Sequence, residues 1–113
     1  MAERSDFASD REFRAAVEAL LDTLLEQADE IDADIEPRLT PGNLSITYED
    51  DDSVMVLSQQ TPTHELWLSA NYTAWHFLRK SGTWVERDSG EAMLDVLSKL
   101  VSDKLGLAVV FSL

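Results

Sequence analysis

Apolar residues in the first third of the chain recur with the spacing of a helix. One side of a helix with 3.6 residues per turn would carry all of them. They are Phe13, Val17, Leu20, Leu21, Leu24 and Ala28. Ser9 and Glu12 have the three-residue spacing of a capping box, which marks a helix N-terminus. The pattern predicts a long amphipathic helix from about Asp10 to about Asp29.

From Ile31 onward, apolar and polar residues alternate with the period of two that is typical of β-strands. The alternation is clearest where polar residues separate Leu44, Ile46 and Tyr48. Six strands are predicted, at residues 34–39, 44–49, 53–57, 65–70, 74–80 and 83–86. Polar turns separate these strands, and Pro37 indicates that the first strand lies at a sheet edge or a bulge.

A second helical pattern follows the strands. Residues 88–91 are expected to open this helix, and Gly106 is expected to end it. The mostly apolar tail, residues 107–113, is expected to pack on the core. A run of hairpin-linked strands between two helices predicts an α+β fold, in which the helices cover one face of an antiparallel sheet. The length of 113 residues indicates a single domain, 1–113.

Among the overall properties of the sequence, net charge excludes the most classes of function. The chain has 22 acidic and 9 basic residues, for a net charge of −13. This charge repels nucleic acid and anionic membranes, and it favours cations or a partner with a basic surface. The absence of cysteine excludes disulfides and thiolate chemistry. Because no apolar run reaches about 20 residues and the N-terminus lacks signal-peptide character, we expect a cytoplasmic bacterial protein or a mature organellar one.

Acidic residues concentrate between Ala15 and Pro37, a stretch without Lys or Arg. We call the following eight residues the acidic ridge: Glu18, Asp22, Glu26, Asp29, Glu30, Asp32, Asp34 and Glu36. Four of them recur at intervals of four, and each such like-charge pair on a helix costs about 0.2–0.5 kcal/mol. Carboxylates suit Mg²⁺, Ca²⁺, Mn²⁺ and Fe²⁺, so the ridge is a candidate cation site. The simpler interpretation is a solvated surface that keeps the protein in solution.

The acidic ridge does not match an EF-hand. Asp32, Asp34 and Glu36 have the spacing of the first three calcium ligands. However, Pro37 occupies the position of the invariant glycine, and Asn43 occupies that of the bidentate glutamate. What remains is an open row of carboxylates, which predicts weak cation binding with little selectivity.

Trp67 is the second candidate for function. In a strand over residues 65–70, Leu66 and Leu68 face the helices while Trp67 faces away from them. A large exposed aromatic side chain is a candidate hot spot for a protein partner, although neighbouring side chains could instead cover it. His64 and His76 have no metal-ligand spacing and no local base partner, so both are expected to be ordinary surface histidines.

The segment around Trp67 also carries a resemblance to a known family. Gln60-Thr61-Pro62, followed by Leu66-Trp67-Leu68-Ser69, resembles the frataxin family and its bacterial branch, known as CyaY. The likeness covers nearly the whole chain and includes the acidic first helix, residues 44–49, His76-Phe77, Trp84 and residues 88–91. Three positions depart from the family: Ser58 replaces the usual Asn, and Thr73-Ala74 replaces the usual Gly-Gly.

This resemblance implies a two-layer α-β sandwich and a role in iron–sulfur cluster assembly. Frataxins bind iron, Fe²⁺ or Fe³⁺, weakly through such a ridge, which also admits other divalent cations. They bind the cysteine desulfurase and its scaffold protein and alter the rate of that complex. By position, the metal-binding residues are the eight residues of the acidic ridge, and the partner contacts are Gln60 and Trp67 with Ser58. The resemblance also implies a monomer in the absence of metal.

The leading hypothesis is therefore an iron-binding regulator or iron donor that is not an enzyme. The alternative is an acidic module that docks a basic partner, with metal binding incidental. An enzyme such as a ferroxidase is disfavoured, because an exposed row of carboxylates does not enclose a fixed pair of metal ions.

Overall fold

The structure is a computed structural model that describes residues 5–113. Residues 1–4 fall in the segment expected to lack signal-peptide character, and they lie outside the described residues. The elements are α1 (Asp10–Asp29), β1 (Ile35–Thr40), β2 (Asn43–Tyr48), β3 (Ser53–Gln60), β4 (Glu65–Ala70), β5 (Thr73–Lys80), β6 (Thr83–Glu86) and α2 (Met93–Leu105). A 3₁₀ turn, Thr61–Thr63, joins β3 to β4. Neither helix within residues 5–113 has the length and apolar character needed to cross a membrane.

Helix α1 has the bounds that its apolar periodicity predicted. The Ser9 hydroxyl accepts a hydrogen bond of 3.2 Å from the Glu12 amide, which satisfies one of the free N–H groups of the first turn. All six residues of the predicted apolar stripe are buried. At about 1.5–3 kcal/mol for each large side chain, their burial far outweighs the repulsion within the acidic ridge. Core packing therefore determines which side of α1 faces solvent.

The six strands form one antiparallel sheet in the order β1-β2-β3-β4-β5-β6. Each strand pairs with the next along the chain, because the connections are short turns or the single 3₁₀ turn. Strand β1 lies at the edge of the sheet, as Pro37 predicted. Strand β3 is longer than predicted and continues to Gln60.

Both helices cover the same face of the sheet, so the predicted α+β sandwich is confirmed. Ile46, Leu57 and Leu68 are buried on that face, where they form one core with apolar residues of α1 and α2. Residues that alternate with them point to the other face, which neither α1 nor α2 covers. We call this second surface the open face. The fold thus presents an acidic helix on one side and an uncovered sheet on the other.

The prediction that residues 88–91 open the second helix is wrong, because α2 begins at Met93. Residues 87–89 instead form a turn around the carboxylate of Glu86, which accepts hydrogen bonds from the amides of Asp88 (2.8 Å) and Ser89 (2.9 Å). Burial raises the pKa of Glu86, but hydrogen bonds from the turn amides and from the His76 amide outweigh burial and lower the pKa below its ordinary value.

The C-terminal tail packs on the core only in part. Phe111 is 5 % exposed and belongs to the core, whereas Val110 and Leu113 are 79 % and 72 % exposed, contrary to the expectation for the whole tail. Side chains hold the tail in place: the Ser98 hydroxyl accepts a hydrogen bond from the Phe111 amide (2.9 Å), and Gln27 exchanges two hydrogen bonds with the backbone of Ser112. The tail therefore closes one end of the core.

We predict that Phe111→Ala lowers the free energy of unfolding by about 3–5 kcal/mol, because it removes a buried ring and leaves a cavity. The matched control, Val110→Ala, removes an exposed side chain one residue away and should change this free energy by less than about 0.5 kcal/mol. Urea titration followed by circular dichroism measures both values. Equal effects of the two substitutions would show that the tail does not close the core.

Candidate functional site

All eight residues of the acidic ridge are exposed, and they extend from α1 onto strand β1. Glu18, Asp22 and Glu26 follow one another at four-residue intervals along α1, and Glu30 caps its C-terminus. The last turn of α1 contains no basic residue, so nothing within the helix offsets the negative end of its dipole. The placement agrees with the predicted exposed ridge.

Among the described residues, one member of the acidic ridge pairs with a cation. A guanidinium nitrogen of Arg38 lies 3.0 Å from a carboxylate oxygen of Glu36. Both residues alternate with the inward-facing residues of β1, so this end of the ridge lies on the open face. Within residues 5–113, the other seven ridge carboxylates have no hydrogen bond or ion pair from another side chain. Only solvent and bound molecules are therefore available to screen the repulsion among these seven carboxylates.

The ridge carboxylates do not converge on one point. Within the described residues, no group of three or more His, Asp or Glu side chains is arranged to hold one metal ion. Glu18 and Asp22 border an open cleft of about 500 Å³ between α1 and the β1–β2 turn. Glu30 and Asp32 instead border a groove beside the C-terminal tail. Such separate, solvated carboxylates suit hard cations bound with few protein ligands and several waters.

Strand register places Trp67 near the middle of one row across the open face. Ser58 of β3 lies directly opposite Trp67, and His76 of β5 lies opposite it on the other side. The Arg87 amide donates to the His76 carbonyl (2.8 Å), which extends the row by one residue beyond β6. Trp67 is 38 % exposed, so neighbouring side chains cover only part of it. The prediction that Trp67 faces away from the helices is confirmed.

A polar network holds the Trp67 side chain. Its indole N–H donates to a carboxylate oxygen of Glu65 (3.0 Å), and its ring meets the His76 ring edge-on, with 4.7 Å between centroids. The guanidinium of Arg87 contacts the other Glu65 oxygen at 3.4 Å and donates to Nδ1 of His76 at 3.0 Å. Glu65 is only 4 % exposed, although it lies on the open face. Arg87 therefore compensates a buried charge beside Trp67.

The other two predicted partner contacts flank Trp67. The Ser58 hydroxyl donates to the carbonyl of Trp67 at 3.4 Å, a long hydrogen bond. Gln60 ends β3 opposite Glu65, and both residues are in the row adjacent to Trp67. The structure thus brings together the three residues predicted as one contact surface.

His64 is not an ordinary surface histidine. Its ring stacks on Phe13 with 4.9 Å between centroids, and Nε2 lies 2.6 Å from a carboxylate oxygen of Asp10. It adopts a left-handed backbone conformation, with φ of 53°, at the end of the 3₁₀ turn. These contacts give His64 a structural role between α1 and the sheet.

Sequence reasoning missed Arg87 and the burial of Glu65. A signal for Arg87 was available, because the two-residue turns of the β4–β5 and β5–β6 hairpins set a register that aligns Trp67, His76 and Arg87. No pattern in the sequence indicated that Glu65 is buried. The Arg87 guanidinium covers its carboxylate, and the alternation of residues along a strand cannot predict that contact.

Comparison with known proteins shows which family this chain resembles. A sequence model of the frataxin-like domain matches residues 6–107. The iron-sulfur cluster assembly protein CyaY of Ralstonia nicotianae is 38 % identical over 100 residues, which cover 85 % of this chain and 88 % of that protein. The protein of the same name from Tolumonas auensis is 29 % identical over 97 residues, which cover 86 % of this chain and 92 % of that one.

Solved structures share the fold. Frataxin from Psychromonas ingrahamii superimposes with a TM-score of 0.85 at 24 % identity, over 93 % of this chain and 99 % of that one. Trimeric frataxin from the yeast Saccharomyces cerevisiae, in a complex with ferrous iron, gives a TM-score of 0.65 at 23 % identity, over 84 % of this chain and 86 % of that one. By its sequence and its fold, the chain belongs to the frataxin-like family, in the bacterial CyaY-like branch.

Proposed function

We propose that this chain acts in iron–sulfur cluster assembly as a weak iron-binding regulator or iron donor. The observation that carries the proposal is a ridge of eight exposed acids, seven of which have no cationic partner within residues 5–113. The relatives from Ralstonia and Tolumonas are named as iron-sulfur cluster assembly proteins, and the yeast frataxin is complexed with ferrous iron. These names support the same role here.

The acidic ridge binds Fe²⁺ or Fe³⁺ at its carboxylates, as cargo rather than as a resident cofactor. Hard carboxylate oxygens suit these ions, and the absence of a three-ligand cluster in the described chain fits weak binding that other divalent cations share. Because the ridge does not enclose the ion, the protein is not an enzyme on this proposal. It is a cytoplasmic monomer until metal binds.

The open face around Trp67 binds the cysteine desulfurase and its scaffold protein. Support comes from an exposed aromatic side chain held by hydrogen bonds and flanked by Ser58 and Gln60. A large aromatic anchor whose orientation is already fixed loses little conformational entropy on binding, which favours it as a hot spot. The bound protein alters the rate of the desulfurase–scaffold complex.

The second candidate function is an acidic module that docks a basic partner, with metal binding incidental. The separation of the ridge carboxylates favours it, because a protein surface can contact scattered charges that one ion cannot. Partner binding that persists in a chelator and weakens steeply with salt would favour this candidate over the first.

For the iron-binding half, we predict that Fe²⁺ added without oxygen broadens the amide NMR signals of residues 18–36 and leaves those of β4 and β5 unchanged. Replacing Glu18, Asp22 and Glu26 by their amides should weaken this binding about tenfold, because three charges near the ion are lost. Replacing Glu91, Asp95 and Asp103 by their amides is the matched control, since it makes the same charge change on exposed residues outside the ridge. Equal weakening in both variants would contradict a specific iron site on the ridge.

For the partner-binding half, we predict that Trp67→Arg weakens binding to the desulfurase–scaffold complex by at least about 30-fold, the size of a hot-spot loss. The melting temperature should change little, because Trp67 is on the open face and outside the core. Val54→Arg is the matched control, because it changes another exposed apolar residue of the same face. Calorimetry measures the affinity, and unchanged binding of Trp67→Arg would remove this residue from the interface.

A further inference from the structure

The charges beside Trp67 are unequally exposed. Glu65 is 4 % exposed, whereas the side chain of its ion-pair partner Arg87 is 40 % exposed. The pair is neutral as a whole, but solvent meets mainly its cationic half. A protein with a net charge of −13 therefore presents a guanidinium next to its exposed tryptophan.

Arg87 retains hydrogen-bonding capacity after its contacts within the chain. A guanidinium has five N–H donors, and the described structure pairs one with Glu65 and one with His76. Because the guanidinium always carries its protons, Nδ1 of His76 must be the acceptor in the second contact. Three donors remain for a bound molecule, which suits the two oxygens of a carboxylate.

The network also fixes where that guanidinium lies. Glu65 binds both the indole N–H of Trp67 and the guanidinium of Arg87, and His76 contacts both of these side chains. The aromatic ring and the cation are therefore held side by side before any partner arrives. Such an arrangement recognises an apolar side chain and a carboxylate that are close together.

The ridge does not cancel this local preference. Four of the eight ridge acids lie on α1, in the layer opposite the open face, and the Glu36 charge at the β1 edge is paired with Arg38. Charges are screened over about 8 Å at physiological salt, which is less than the thickness of a helix. The charged groups in contact beside Trp67 are Glu65 and Arg87, and Arg87 is the exposed one.

We propose that Arg87 is a specificity-determining residue of the open face, which binds a partner segment that presents a carboxylate beside an apolar side chain. The proposal rests on the proposed binding of the desulfurase–scaffold complex at Trp67 and adds the chemistry that this complex must offer. It gives the two surfaces opposite preferences: the acidic ridge takes cations, and the Trp67 surface takes an acidic group.

The test compares three variants for binding to the purified desulfurase–scaffold complex from the same organism. Arg87→Gln removes the guanidinium but leaves Glu65 as a buried, uncompensated charge, so its melting temperature should fall. The double variant, Glu65→Gln with Arg87→Gln, removes both charges, and the amide at position 65 still accepts the Trp67 indole N–H. Arg38→Gln is the matched control, because it removes a cation from the same face at the β1 edge.

We expect the double variant to melt near the wild-type temperature, to keep the Trp67 indole NMR signal, and to bind about tenfold more weakly. Arg38→Gln should bind within twofold of wild type. If the double variant binds as tightly as wild type, Arg87 only neutralises Glu65 and the proposal is overturned.

A second arm separates this proposal from the proposed function. N-acetyl-leucine, which carries a carboxylate beside an apolar side chain, is titrated into the labelled wild-type protein, with N-acetyl-leucine amide as the uncharged control. The acid alone should shift the Trp67 indole signal and the signals of His76 and Arg87. Wild-type protein that fails to bind the desulfurase–scaffold complex but gives this response would refute the proposed function and retain the role of Arg87. No response, or an equal response to the amide, would overturn that role.

Discussion

Burial of the apolar stripe of α1 against one face of the sheet is the interaction on which the other features depend. It orients the helix, so Glu18, Asp22 and Glu26 point to solvent. Helices α1 and α2 both pack on this face, so within residues 5–113 the second face of the sheet has no helix on it. Five large buried side chains contribute about 7–15 kcal/mol, against about 1.5 kcal/mol or less for three like-charge pairs. Burial of the core therefore stabilises the fold despite the repulsion among the ridge carboxylates.

The two surfaces differ in how their charges are compensated. On the acidic ridge, solvent faces seven carboxylates without cationic partners in the described chain, which leaves binding capacity for cations. Around Trp67, the carboxylate of Glu65 is buried under Arg87, so the exposed charge is positive. On the two proposals, one small domain thus separates a region that binds cations from a region that binds an acidic partner. On the proposed function, iron and the assembly machinery need not compete for one site.

Most of the fold was predictable because its signals are local. The capping box and the period of the apolar residues predicted the bounds of α1, and Pro37 predicted the edge position of β1. The start of α2 was not predictable from its own residues, because the turn before it is organised by Glu86 from the preceding strand. Likewise, exposure of the acidic ridge follows from helical spacing, whereas burial of Glu65 depends on Arg87, 22 positions away. Interactions between distant residues limited the prediction of the site.

The most direct test of the account is the free energy of unfolding of Asp22→Lys, measured by urea titration with and without Fe²⁺. Without metal, the variant should be more stable than wild type by about 1 kcal/mol, because a lysine at position 22 replaces two repulsive pairs with two attractive ones. With Fe²⁺, wild type should gain stability through ligand binding and the variant should gain less. A variant that is no more stable than wild type without metal, or that gains as much from Fe²⁺, would contradict the proposal that the ridge carboxylates repel one another and bind a cation.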